Sequence, residues 1–95
     1  METRTEYVEK LSAQMVEMDN RIYLLKDKAE SATPETSGDY TGLIRSLQIK
    51  RDQVAAKLQG ISVAGDHEWE EMRSGTELVW GEVRSMLHDT ITKIR

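Results

Sequence analysis

Between residues 8 and 32 the apolar side chains Val8, Leu11, Met15, Met18, Ile22, Leu25, Ala29 and Ala32 recur at alternating spacings of three and four. No other feature of the 95-residue chain limits its fold as strongly. Only a helix brings such positions onto one side, and an unbroken a/d heptad is the seam along which one helix packs on another. Just ahead of it, Thr3 and Glu6 form T-x-x-E, a capping box whose hydroxyl and carboxylate can satisfy free amides of a first turn. Helix one is therefore expected to start near Thr3. Glu6 with Lys10 and Glu17 with Arg21 are acid-before-base pairs at i,i+4, each worth roughly 0.2–0.5 kcal/mol.

The seam ends in "ESATPETSGDY", where Pro34 cannot donate a helical hydrogen bond. A tight reversal follows, with either Thr33 capping a second helix that has Pro34 at its first position, or Asp39 capping it one turn later. A second seam then runs Tyr40, Ile44, Leu47, Arg51, Val54, Leu58, Ile61, widened by Leu43. Arg51 is out of place in it. A cation at a seam position usually packs its stem and lifts its head into water; the alternative is a pair with an acid of a neighbouring helix that fixes register.

"QGISVAGD" supplies Gly60 and Gly65 as candidate helix ends and Asp66 as the cap of a third helix. Asp66, Glu68, Glu70 and Glu71 gather at the start of that helix and Lys93 and Arg95 at its end, as the helix dipole favours. Within it, "WEEMRSG", "WGEVRSM" and "ITKIR" align at a period of eleven, three turns at about 3.67 residues each. Trp69, Trp80 and Ile91 fall on one line, Met72, Val83 and Ile94 on a second, and Arg73, Arg84 and Arg95 on a flank. Thr76, Val79 and Leu87 broaden the stripe enough to suit packing on two helices. Gly75 and Gly81, costly inside a helix, point to a close helix approach beside Trp80. Arg73 and Arg84 are expected to offer cations to acids such as Glu17 or Asp19.

The fold class expected is all-α: an antiparallel three-helix bundle or coiled coil of long amphipathic helices, one domain with helices over 3–32, 34–60 and 66–94. Composition supports it, since 32% charged residues and a single proline suit exposed helices better than a compact α/β domain. The chain has no cysteine, which excludes disulfides, thiolate metal sites and thiol nucleophiles. Its 13 basic and 17 acidic residues are interleaved and sum to −4, so no cationic stripe for nucleic acid arises. A charged N-terminus and the lack of any apolar run near the ~20 residues of a membrane span lead to the expectation of a cytoplasmic protein.

Motifs of chemistry are sparse. "HEWEE" at residues 67–71 falls short of H-E-x-x-H because Glu71 stands where the second histidine belongs, and Ala64 and Ser85 stand where E-x-x-H would need glutamates before His67 and His88. No catalytic residue, metal site or cofactor is expected, and His67 reads as solvated. Methionines 15, 18, 72 and 86 are core fillers. The eleven-residue face suggests an interaction surface made of Trp69, Met72, Arg73, Trp80, Val83, Arg84 and Leu87, set beside the coiled-coil seam Val8, Leu11, Met15, Met18, Ile22, Leu25, Leu47, Val54 and Leu58. Such repeats also build membrane-surface helices. Residues 66–95, however, hold seven acids and four bases, a net −3 that anionic lipid would repel.

With "EYVEKLSAQMVEMDNRIYLLKDKAE", "IKRDQVAAKLQG" and "GDHEWEEMRSGTELVWGEV" in view, the chain resembles small bacterial coiled-coil proteins often labelled stress-induced and otherwise uncharacterised. The resemblance covers nearly the whole chain. It implies a three-segment helical protein whose last segment carries W-E-x-x-(K/R)-x-G, here Trp69 to Gly75, followed eleven residues on by Trp80. It brings no catalytic residues. Pro34 and Gly38 depart from the family, whose first connection reads as charged and helical, so a sharper hinge is expected here. Slender helices in so small a chain leave apolar surface for a second copy, which makes a homodimer the simplest assembly, alongside an unknown protein partner.

Overall fold

The computed structural model describes the backbone of residues 2–31 and 34–94 and the side chains of residues 2–31 and 40–92. Three helices form: α1, Arg4–Glu30; α2, Pro34–Val63; and α3, Glu68–Ile94. No strand occurs among the described residues. At about 1.5 Å per residue the helices run about 40, 45 and 40 Å, and the molecule measures 50 × 18 × 18 Å. Only side-by-side packing fits that envelope. Their directions follow from which residues meet. Met72 lies against Gly60; Lys50, ten residues back along α2, reaches Glu82, ten residues onward in α3. That is the register of an antiparallel pair. Tyr7 and Trp69, each near the start of its helix, meet as well, so α1 and α3 run parallel and the chain is an up-down-up three-helix bundle. α2 packs extensively on both neighbours, whereas α1 and α3 share a narrow contact.

Thr3 caps α1: its hydroxyl oxygen accepts from the Glu6 amide at 3.1 Å. The return half of the box differs from the usual form, because the Thr3 hydroxyl donates to the Glu6 carboxylate at 3.0 Å. That engagement takes Glu6 away from the expected pair with Lys10, which instead stands 3.8 Å from Glu2. Glu17 and Arg21 pair as expected at 2.7 Å. The second helix starts at Pro34 and its backbone continues through Gly38 and Asp39, so it does not wait for an Asp39 cap. Thr33, Ala32 and Arg95, and the side chains of Lys93 and Ile94, lie outside the described residues.

Gly60 does not end α2, which continues to Val63. Ile61 and Ala64 are both buried and hold that last turn against the core. None of the described glycines adopts a positive φ. Asp66 does not cap α3 through its side chain either: the Glu68 and Trp69 amides donate to the Gly65 carbonyl at 3.1 and 3.2 Å, which leaves Asp66 in the connecting turn.

The core follows the seams closely. Leu11, Met15, Met18, Ile22, Leu25 and Ala29 of α1 are buried, as are Ile44, Leu47, Val54, Leu58 and Ile61 of α2 and Trp69, Thr76, Trp80, Val83 and Leu87 of α3. At the start of α1 the interior place belongs to Tyr7, which is 1% exposed, while Val8 is half-buried. Near the end of α3 the buried residue is Thr90, and Ile91 is 43% exposed. The two buried threonines satisfy their hydroxyls on the preceding turn, Thr76 on the Met72 carbonyl at 2.9 Å and Thr90 on that of Met86 at 2.7 Å.

The glycines divide against expectation. A methyl group built on Gly75 or Gly81 would meet open space, so no close helix approach explains them. Gly60 is the crowded one: a Cβ there would stand 2.9 Å from the Met72 methyl. Met72 lies across that notch at the surface, 37% exposed, instead of filling the core.

Candidate functional site

Two constellations of side chains bind helix to helix, and a groove runs beside one of them. The first constellation sits where α1 begins and α2 turns into α3. The Tyr7 and Trp69 rings lie 6.0 Å apart, tilted by 37°. Above both rides the Arg73 guanidinium, 5.0 Å from the Tyr7 centroid and 5.9 Å from that of Trp69. An electron-rich ring face attracts such a cation. Arg73 Nη2 is 3.0 Å from Glu2 Oε1, and Glu2 also faces Lys10. Arg4 donates to the Ala64 carbonyl, tying the first turn of α1 to the last turn region of α2.

The Tyr7 hydroxyl is sealed from solvent and, among the described residues, meets no hydrogen-bond partner at good geometry. Burial, first of all, drives its pKa well above the ordinary tyrosine range. The adjacent Glu77 carboxylate adds to the rise by attracting the proton and repelling a phenolate, and Arg73 opposes it. Tyr7 is therefore a neutral phenol held in an aromatic and cationic pocket.

The second constellation lies at mid-length. Arg51 grips Asp19 of α1 in a fork, Nε to Oδ1 at 2.7 Å and Nη2 to Oδ2 at 2.8 Å, and touches Asp52 at 3.3 Å. Its hydrogen bond to Asp19 raises the Arg51 pKa against the opposing effect of partial burial. Of the two sequence readings of this seam cation, the cross-helix pair with an acid is the one formed. Its neighbour Lys50 turns the other way and meets Glu82 of α3 at 2.7 Å. Adjacent residues of α2 thus pin both flanking helices at one level.

Asp19 is taken by Arg51 and Glu17 by Arg21, so neither serves the arginines of α3. Arg73 finds Glu2 instead, and Arg84 stays exposed. Of the seven residues of the anticipated interaction face, Trp69, Trp80, Val83 and Leu87 lie in the core, Arg73 is half-buried, and Met72 and Arg84 are at the surface. His67 is exposed in the α2–α3 turn. Among the described residues no group of three or more His, Asp or Glu side chains is placed to hold a metal ion, and no helix is long and apolar enough to cross a membrane.

Apolar surface that the core leaves outside is spread over all three helices, with Ile49 and Val63 of α2 and Leu78 and Ile91 of α3 exposed as well as three residues of α1. Val16, Tyr23 and Leu24 of α1 are 62, 71 and 62% exposed; Val16 and Tyr23, seven residues apart, share one face, from which Leu24 is turned by about 100°. Beside Val16 a groove of about 380 Å³ opens between α1 and α2, floored by Val8, Met15, Ala55 and Leu58, with Ser12 and Gln59 on its rim. Arg51 closes one end of it. The period-four recurrence of Ser12 and Val16, and of Ala55 and Gln59, is the signal in the sequence that would have pointed to this groove. Searches find no protein-family model, no curated protein and no solved structure that matches the chain.

Proposed function

We propose that this protein is a non-catalytic helical interaction protein that works as a homodimer, in the stress-related bacterial setting that the family resemblance implies. A cytoplasmic location is part of the same proposal. The observation that carries it is the pair Val16 and Tyr23, one heptad apart on α1 and left outside a bundle whose own core is already filled. Exposed apolar side chains grouped on one face, beside a groove, are a feature of association surfaces. Three polar side chains of the interior support the non-catalytic part of the reading, because they are engaged in structural bonds: Arg51 to Asp19, and Thr76 and Thr90 to carbonyls of their own helix.

Light scattering coupled to size exclusion tests the proposal. A mass of two chains at tens of micromolar supports it, and a single chain refutes it. Leu25→Asp, which forces a charge into the buried seam, is expected to weaken both fold and assembly. The alternative of a membrane-surface protein has less support, since Trp69 and Trp80 are 5 and 3% exposed and α3 would have to leave the bundle to present them. Blue-shifted tryptophan emission in buffer, unchanged by anionic vesicles, is the expected result.

A further inference from the structure

We infer that Met72 is an oxidation site, at which a hydroperoxide adds an oxygen to the thioether and thereby loosens α3 from α2 at Gly60. The inference is independent of the homodimer reading above.

Sulfur chemistry is the first argument. The chain has five methionines and no cysteine, so a two-electron oxidant meets thioethers and no thiol. Which thioether reacts follows from exposure. Met15 and Met18 are each 4% exposed within the seam, and Met86 is half-buried against the core. Met72 is 37% exposed. Met1 lies outside the described residues.

Place in the fold is the second. The Met72 side chain crosses from α3 to α2 and rests its methyl group in the notch at Gly60, where even a Cβ would stand 2.9 Å from it. The backbone that carries it is held as well, because the Met72 carbonyl accepts from the buried Thr76 hydroxyl at 2.9 Å. On either side of the notch the chain is core: Ile61 follows Gly60 and is fully enclosed, and Trp69, one turn before Met72, is 5% exposed. A sulfur within reach of solvent is thus bonded to a methyl group that forms part of the α2–α3 contact.

The reaction needs no other group. A sulfur lone pair attacks one oxygen of the hydroperoxide, the O–O bond breaks, and proton transfer leaves the sulfoxide and an alcohol, or water when the oxidant is hydrogen peroxide. Sulfur loses two electrons and the peroxide gains them. The product is polar and strongly hydrated where the thioether was apolar, so the end of the side chain turns toward water and the methyl group leaves Gly60. A dithiol-dependent sulfoxide reductase reverses the step, with the two thiols becoming a disulfide and the oxygen leaving as water.

Brief treatment with hydrogen peroxide followed by peptide mapping should place the added oxygen on Met72 well before Met15 or Met18. The oxidised chain should melt about 4 °C or more below the parent, and a sulfoxide reductase supplied with dithiothreitol should restore the parent value. Met72→Leu, which keeps Met1 and the other methionines, should lose the drop on peroxide treatment, and Met86→Leu should keep it. Gly60→Ala tests the notch itself: its methyl group displaces that of Met72 beforehand, so the drop on oxidation should shrink. Oxygen found on Met15 or Met18 as early as on Met72 overturns the inference. So does a drop that persists in Met72→Leu or stays full in Gly60→Ala, or a Met72 sulfoxide that leaves the melting temperature unchanged.

Discussion

Trp69–Arg73 and Trp80–Arg84 are two copies of one element, W-x-E-x-R, eleven residues apart on the same helix, yet the bundle treats them differently. Both tryptophans are buried. Around the first, α1 contributes Tyr7, and Arg73 is held over two rings and against Glu2. Around the second, Arg84 reaches solvent, Glu82 bonds to Lys50, and Val83 is fully enclosed where its counterpart Met72 lies at the surface. Helical phase decides which way a side chain points; the neighbouring helix decides what it meets. A repeat in one strand of sequence is a repeat of the first only.

The largest expected effect tests what the two elements share. Trp80→Ala should cost about 3–5 kcal/mol, seen as a lower urea midpoint, with Trp69→Ala in the same range. An unchanged midpoint for either would mean that its ring does not hold the core. Where the elements differ, Arg73→Ala should cost about 1–2 kcal/mol through the lost ring and carboxylate contacts. In a double-mutant cycle that loss should shrink when Trp69 is already alanine, and full additivity would break the proposed coupling.

Alkaline pH sharpens the contrast, because Tyr7 belongs only to the first element. Its phenol is held neutral in the folded chain but ionises near pH 10.0 when the chain is unfolded. Above that pH the folded state retains a proton that the unfolded state loses, so stability falls as pH rises, by up to about 1.4 kcal/mol per pH unit. Tyr7→Phe lacks this loss. Its midpoint should match or exceed the parent's near neutrality, since an unpaired hydroxyl is removed, and the gap should widen on titration past pH 10.0. Parallel pH profiles would show that the phenol is not held neutral.

Smaller effects come from the glycines and from Arg84. Gly75→Ala and Gly81→Ala should each stabilise by up to about 1 kcal/mol, because the added methyl meets nothing and helix propensity improves. A destabilised variant would reveal a neighbour at that position. Arg84→Ala should change thermal stability by less than about 0.5 kcal/mol, as usual for an exposed side chain. A cost equal to that of Arg73→Ala would erase the difference between the two elements.

Much of the fold was legible because apolar periodicity reports burial directly. The a/d residues of α1 and α2 reach the interior nearly one for one, and T-x-x-E marks the start of α1 within a residue. Failures cluster where burial depends on a distant partner. Tyr7 is buried because Trp69 and Arg73 come to it from α3, information absent from the spacing of α1 alone. Gly60 and Gly65 resemble helix stops in isolation, but Ile61 and Ala64 carry α2 past the first. The eleven-residue lines fail at Ile91 for a geometric reason. Eleven residues at 3.6 per turn overshoot three turns by about 20°, so two periods drift by about 40° and carry Ile91 off the face that Thr90 enters. Of the anticipated interaction face, the aromatic part was legible as a packing surface. The exposed Val16 and Tyr23 of α1 stand off the heptad seam, so its periodicity does not mark them.

The Arg51–Asp19 fork has one more consequence. Heptad seams are degenerate along their length: if α1 slid past α2 by seven residues, about 10 Å at 1.5 Å per residue, apolar side chains would again oppose apolar side chains. Oil-like packing alone indexes such a bundle poorly. A two-pronged charge pair at a single level has only one setting in which both prongs close, and Lys50–Glu82 repeats the constraint on the other side of α2. The middle of the molecule thus works like a pin through three rods, opposing longitudinal slip.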